Sequence, residues 1–255
     1  MGPAACAICY SGASRRRVQH RLQTVTSVVV SASTAARQTL SHDFLVTNAR
    51  LFDGATTKQK TQVAVVDGVI RAVGDDLSAW QHLPTIDATG ATLLPGLIDA
   101  HVHIRDGDDL RQALRFGVTT EIDMGTIGVT EEVAFALRSA ANGSMDMAGV
   151  RSAGFPATAP GAHGTESKAV FPAVGTVAEA RAFVAARRAA GSDHLKIMLN
   201  GLRSATTGMQ NLDAPGVKTL IATAHDAGMI AVAHVETIAD VEVALASRYV
   251  RKTRR

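Results

Sequence analysis

The sequence predicts an α/β protein, a small β-layer followed by a parallel sheet wound with helices. Between Asp43 and about Leu94, short apolar runs are punctuated by Asp-Gly pairs, the signature of tight turns between strands. From Pro95 onward, short apolar strands alternate with amphipathic helices, and repeated βα units imply parallel neighbours. No Gly-x-Gly-x-x-Gly follows any strand, which disfavours the dinucleotide-binding open sheet. A doubly wound sheet and a (β/α)8 barrel both satisfy this pattern.

The composition suits a chain with a sizeable core. Of 255 residues, 46% are hydrophobic and 19% charged, with two cysteines, which excludes collagen, coiled coil, disulfide scaffold and wholesale disorder. No run of eighteen apolar residues is present, so no spanning helix is expected. The net charge of +3 belongs to the ends. Residues 1–42 hold five arginines and no acid, and 248–255 hold five more positive residues. Residues 44–247 carry 16 Lys+Arg against 22 Asp+Glu, a net −6. Nucleic acid is therefore not expected as a partner, nor is a membrane.

The elements follow in order. Residues 1–42 read as a disordered or targeting leader, rich in Ser, Thr, Ala and Arg. A mitochondrial-type transit peptide, a weaker secretory signal and a mis-called start all fit, and a cytoplasmic location is otherwise expected. Its Cys6-x-x-Cys9 lacks a second pair and suggests no zinc or redox site. Residues 43–94 form the β-layer: Phe44–Phe52 ends at Asp53-Gly54, and Val63–Val66 turns at Asp67-Gly68 into Val69–Val73. Residues 95–247 carry strands at Leu97–His103, Val118–Asp123, Met147–Arg151, Leu195–Leu199 and Met229–His234. Helices fit 108–116, 130–141, 176–190, 214–227 and 237–247. Thr176 with Glu179 predicts a capping box, and Thr237 with Asp240 a weaker one. Residues 248–255 are a basic tail.

Candidate chemistry sits at strand ends. His101 and His103 alternate onto one face of a strand, where two imidazoles can grip one metal ion, zinc or a first-row neighbour. Lys196 lies in an apolar strand, either at a wet edge or in a barrel mouth where its neutral amine can react with CO₂ to a carbamate. His234 ends another apolar strand, as a ligand or as a packed core histidine. His163, in a Gly- and Pro-rich loop, fits a substrate contact or an ordinary loop residue. Asp99 and Asp123 could support the ligands from behind. His194 and His225 read as surface or helix-packing positions.

Leu93-Leu-Pro-Gly-Leu-Ile-Asp-Ala-His-Val-His103, preceded by the β-layer, resembles the start of the amidohydrolase superfamily. The segments around Gly117–Gly125, Asp193–Met198 and His234 are similar to its imidazolonepropionase-like and prolidase-like branch, and the likeness covers about 44–246. It implies a metal-dependent (β/α)8 barrel with a β-sandwich. The implied metal ligands are His101, His103, carboxylated Lys196 and His234, with one or two divalent ions, zinc by default. Lys196 and His234 are also implied to be catalytic. The implied reaction is hydrolysis of amide, lactam or dipeptide C–N bonds by a metal-activated hydroxide. A homo-oligomer is compatible with this.

The family continues to a sixth strand with a histidine and an eighth with an aspartate, and this sequence has neither. Residues 95–247 span 153 positions, against about 250 residues and eight units for the usual barrel. The resemblance thus implies an incomplete TIM-like barrel of about five βα units, truncated at its C-terminus, with open edges. The alternative function is an inactive fragment or an interaction partner of a full-length copy.

Overall fold

Asp67 and Gly68 both take positive φ, 53° and 71°, the two-residue turn that matches the twist of the strands it joins. The computed structural model describes residues 7–10, 43–126, 129–165 and 172–247. The expectations for residues 11–42, for Cys6 and for the basic tail lie outside the described residues. The first described segment, Ala7–Tyr10, is a short strand, β1.

The chain divides into two units, Arg16–Pro95 and Met1–Arg15 together with Gly96–Arg255. In the first, β2 (Phe44–Phe52), β3 (Thr57–Val66), β4 (Val69–Gly74), β5 (Thr85–Asp87) and β6 (Thr92–Leu93) form one mixed sheet. The hairpins β2–β3 and β3–β4 are antiparallel, while β5 and β6 run parallel to β2. Val46, Ala49 and Val63 form its small core with Phe44, Leu51, Val65, Ala88 and Leu93 around them. Asp53 closes the β2–β3 turn by accepting the amides of Thr56 and Ala55. Those bonds bring its carboxyl down to about 2.

The second unit continues with β7 (Leu97–Val102), α1 (Gly107–Arg115), β8 (Val118–Asp123), α2 (Glu131–Asn142) and β9 (Gly149–Ser152). Next come α3 (Val177–Ala190), β10 (His194–Met198), α4 (Gly201–Thr207), α5 (Ala214–Asp226), β11 (Ile230–Val235) and α6 (Ile238–Ala246). β7, β8 and β9 pair in parallel, as do β10, β11 and β1. Ala157, just past β9, bridges the two groups. Its amide donates to the Lys196 carbonyl at 2.8 Å and its carbonyl accepts from the Met198 amide at 2.8 Å. Strands β7 to β11 are therefore neighbours in sequence order. A doubly wound sheet reverses that order at its switch point, and β7 to β11 show no such reversal.

Most element ends differ from the sequence reading by one or two residues, the usual fraying range, but β3 begins at Thr57, six residues before the expected Val63. One helix was not expected. Residues 201–207 lack an apolar repeat, and Leu202 is about half exposed, so α4 carries no periodic signal. The two capping boxes also reverse their expected rank. Thr237 and Asp240 make the complete reciprocal box on α6, whereas Glu179 accepts from the Gly175 amide rather than from its N-cap residue.

Burial is uneven across this unit. β10 is buried along its whole length, and Leu195, Ile197 and Leu199 pack with Phe183 and Val184 of α3 and Val217, Leu220 and Ile221 of α5. Strands covered on both faces read as continuous apolar runs, as β10 does around its one lysine. β7 is the opposite case, with Ile98 64% exposed and Leu97 50%.

Candidate functional site

The strand ends position the side chains. His101 and His103 stand at the C-terminal end of β7 with ring centroids 5.6 Å apart, edge to face, and both are exposed. His103 Nδ1 lies 2.9 Å from the carbonyl of Gly125. A carbonyl only accepts, so Nδ1 carries the proton and Nε2 is the nitrogen left to coordinate. Gly125 sits at φ 140°, a conformation that glycine adopts without strain. Asp123 braces this corner. Its carboxylate accepts from the Ser152 hydroxyl at 2.6 Å and from the Gly125 amide at 3.4 Å. Burial raises the Asp123 carboxyl, and these bonds oppose the rise. Asp99 accepts from the backbone amide of His101 at 3.1 Å.

Lys196, in the middle of β10, is 2% exposed, which rules out the wet edge left open by the sequence. His194 shares its face and is also buried, which removes the surface alternative and leaves the packing one. Both sides of β10 are covered, so neither face is wet. Burial pushes His194 down to about 4, Lys196 adding to the effect while Asp193 opposes it. His225 is on α5 with its Nε2 buried, a packing position.

His234 pairs across the ladder with Met198, beside the strand that carries Lys196. Its ring lies 5.7 Å from that of His163, so the structure brings together these two histidines from separate segments. Nε2 of His234 is buried and has no hydrogen-bond partner among the described residues. Burial first, then Lys196 and His163, lower the His234 pKa, against Glu236. The same logic holds for His101, lowered by burial, then Lys196, then His103, against Asp99. Lys196 is thus a charge felt by histidines on both β7 and β11, and it disfavours the protonated form of each.

Sequence reasoning missed the residues behind His234. Glu236 Oε1 stands 3.7 Å from His234 Nε2, too far for a hydrogen bond. Glu236 is held by Arg203, whose amide donates at 3.0 Å and whose guanidinium donates at 2.5 Å. His234-Val-Glu236 has the same period-two spacing as His101-Val-His103, which is the signal that could have found it. Asp240 of α6 accepts from the amides of Gly201 (3.2 Å), Glu236 (3.1 Å) and Thr237 (3.0 Å). A Cβ on Gly201 would stand 2.7 Å from Asp240 Oδ1, so this approach requires glycine.

The donors suit a divalent ion in kind: neutral imidazoles, an orphaned buried Nε2, and a lysine among them. Among the described residues, no three His, Cys, Asp or Glu side chains gather as a ready metal cluster. The histidines form two pairs, His101 with His103 and His163 with His234, and Lys196 is the group whose charge reaches both.

No family model matches the chain. Curated relatives do. It is 30% identical over 137 residues to adenine deaminase of Lysinibacillus sphaericus, covering 50% of this chain and 23% of that one. It is 37% identical over 94 residues to L-hydantoinase of Paenarthrobacter aurescens, covering 32% and 20%. Among solved structures, a protein described as an amidohydrolase superposes with TM-score 0.66 at 24% identity, over 80% of this chain and 59% of that one. The chain is thus similar to amidohydrolase-type proteins in part of its sequence and in its fold. A Xaa-Pro dipeptidase with bound methionine in its active site has the same TM-score, 0.66, at 23% identity and the same 80% and 59% coverage. These two likenesses define the fold of the chain, and the named relatives are hydrolytic enzymes of C–N bonds. The chain spans about a fifth of the length of these curated relatives. Among the described residues, no helix is long and apolar enough to cross a membrane.

Proposed function

We propose that this chain carries the metal-holding strands of a hydrolase for C–N bonds of the amide, lactam or dipeptide type. His101, His103, Lys196 and His234 would hold one or two divalent ions, zinc by default. The observation that carries this reading is Lys196. A lysine 2% exposed on an apolar strand, its charge felt by both His101 and His234, is poised for a role other than solvation.

In this reading the neutral Lys196 amine adds to CO₂, forming an N–C bond and releasing one proton to solvent. The resulting carbamate turns a cation into an anionic oxygen donor beside the imidazoles. A divalent ion held by these residues would supply Lewis-acid polarisation of a carbonyl and a water of lowered pKa. The protein supplies the rest. Gly125 fixes the tautomer of His103, and Asp123 fixes Gly125. Arg203 holds Glu236 behind His234, and His163 stands beside His234 where a substrate would be contacted.

Metal content and turnover test the reading together. Purified chain grown with zinc should carry metal and hydrolyse an acyl-amino acid, a lactam or a dipeptide. Lys196→Ala should lower metal content at least about tenfold, as loss of a supporting group does. With ¹³C-labelled bicarbonate, a carbamate carbon signal should appear in the parent and vanish in Lys196→Ala. Unchanged metal in that variant would remove the carbamate assignment.

A further inference from the structure

A cavity of about 300 Å³ lies between β7, β8 and α1. Its walls include Asp99, His103, Arg105, Asp109, Phe116 and Glu121. Positions on a parallel strand that face a covering helix are ordinarily apolar. Glu121 on β8 breaks that rule. It is 7% exposed, it lines the cavity, and no hydrogen-bond donor or base pairs with its carboxylate among the described residues. The nearby charges make matters worse for an anion. Burial and then Asp99, Asp109 and Asp123 raise its pKa. The neighbouring base, Arg105, is already committed to Asp109 at 3.3 Å. A largely buried carboxylate that meets solvent only through the cavity favours a proton or a cation there.

The surroundings decide which cation. The carboxylates are spread over the cavity wall and do not form a cluster able to hold a metal ion among the described residues. The walls between them, Ala113, Val118 and Phe116, are apolar. The volume is that of a small-ligand pocket. We propose that this cavity binds a small organic cation, a primary ammonium on a short aliphatic chain, with Glu121 as the buried counter-charge and Asp99 at the same wall. The aliphatic body would lie along Ala113 and Val118, with Phe116 at the rim. His103 also lines this cavity, so the organic cation would sit beside the strand end of the proposed function, and the proposal adds a ligand to that reading.

Isothermal titration of the full chain with n-butylammonium chloride near neutral pH tests this directly, with n-butanol as the neutral control. Saturable one-to-one binding of the ammonium, and none of the alcohol, is expected. Glu121→Gln keeps the shape and removes the charge, and should weaken binding at least about tenfold, the scale of a lost charge-assisted contact. Ala113→Leu narrows the cavity from the helix side without altering a charge, and should also weaken binding if Glu121→Gln fails to fold. Equal affinity for ammonium and alcohol, no saturation in the millimolar range, or parent-like binding by either folded variant would overturn the proposal.

Discussion

The β7–β8 edge and the β10–β11 centre of the same unit solve the problem of holding polar groups in opposite ways. At the centre, a lysine and two histidines stand on strands whose other faces are packed by α3 and α5, and burial drives the imidazoles towards neutrality. At the edge, the strand bearing His101 and His103 is exposed, and the buried charge beside it is a carboxylate. Packing density therefore decides which groups are rigid and neutral and which remain open to solvent. A coordination site drawn from both would combine a fixed half and an adaptable one.

The largest expected difference is in the cores. Ile197→Ala removes a fully buried side chain from the β10–α5 core and should cost about 2–5 kcal/mol in urea unfolding, whereas Ile98→Ser on β7 should stay within about 0.5 kcal/mol. Comparable losses would mean that β7 is packed in solution. The two regions should also respond to pH with opposite signs. His194 has its folded pKa depressed from 6.5 to about 4, so above 6.5 its contribution is fully present. As pH falls from 6.5 towards 4 the unfolded chain takes the proton first, and about 3 kcal/mol is lost. His194→Gln should flatten that part of the acid-stability profile.

Glu121 runs the other way. Its folded pKa is raised, so its contribution is fully present below the ordinary carboxylate value and is lost as pH rises through the folded pKa. Glu121→Gln should stabilise the chain at neutral pH and above by about 1 kcal/mol, and by nothing at low pH, read from thermal melts across pH. The smallest contrast concerns the helix caps. Thr237→Ala breaks a reciprocal box and should cost more than Thr176→Ala, both within about 0.5–2 kcal/mol.

The alternation of strand and helix was legible from the sequence because parallel strands and amphipathic helices write different periods. So was the turn at Asp67-Gly68. His101 and His103 were legible because period two puts them on one face. What the sequence hid was burial. Lys196 could be assigned to a strand, but its burial and that of His194 come from tertiary packing, which the strand period does not write. Glu121 gave no sign at all. It reads as one polar residue in Val-Thr-Thr-Glu-Ile-Asp, and its isolation comes from groups distant in sequence, Asp99 and α1.

The carboxylate of Asp240 gathers amides from two loops more than thirty residues apart in the chain, at Gly201 and at Glu236–Thr237. Three N–H groups that share one acceptor lose it together. Removing that carboxylate would therefore strip the start of α4 and the turn before α6 of their bonds in one stroke, and Asp240→Ala should speed amide exchange at Gly201, Glu236 and Thr237 alike.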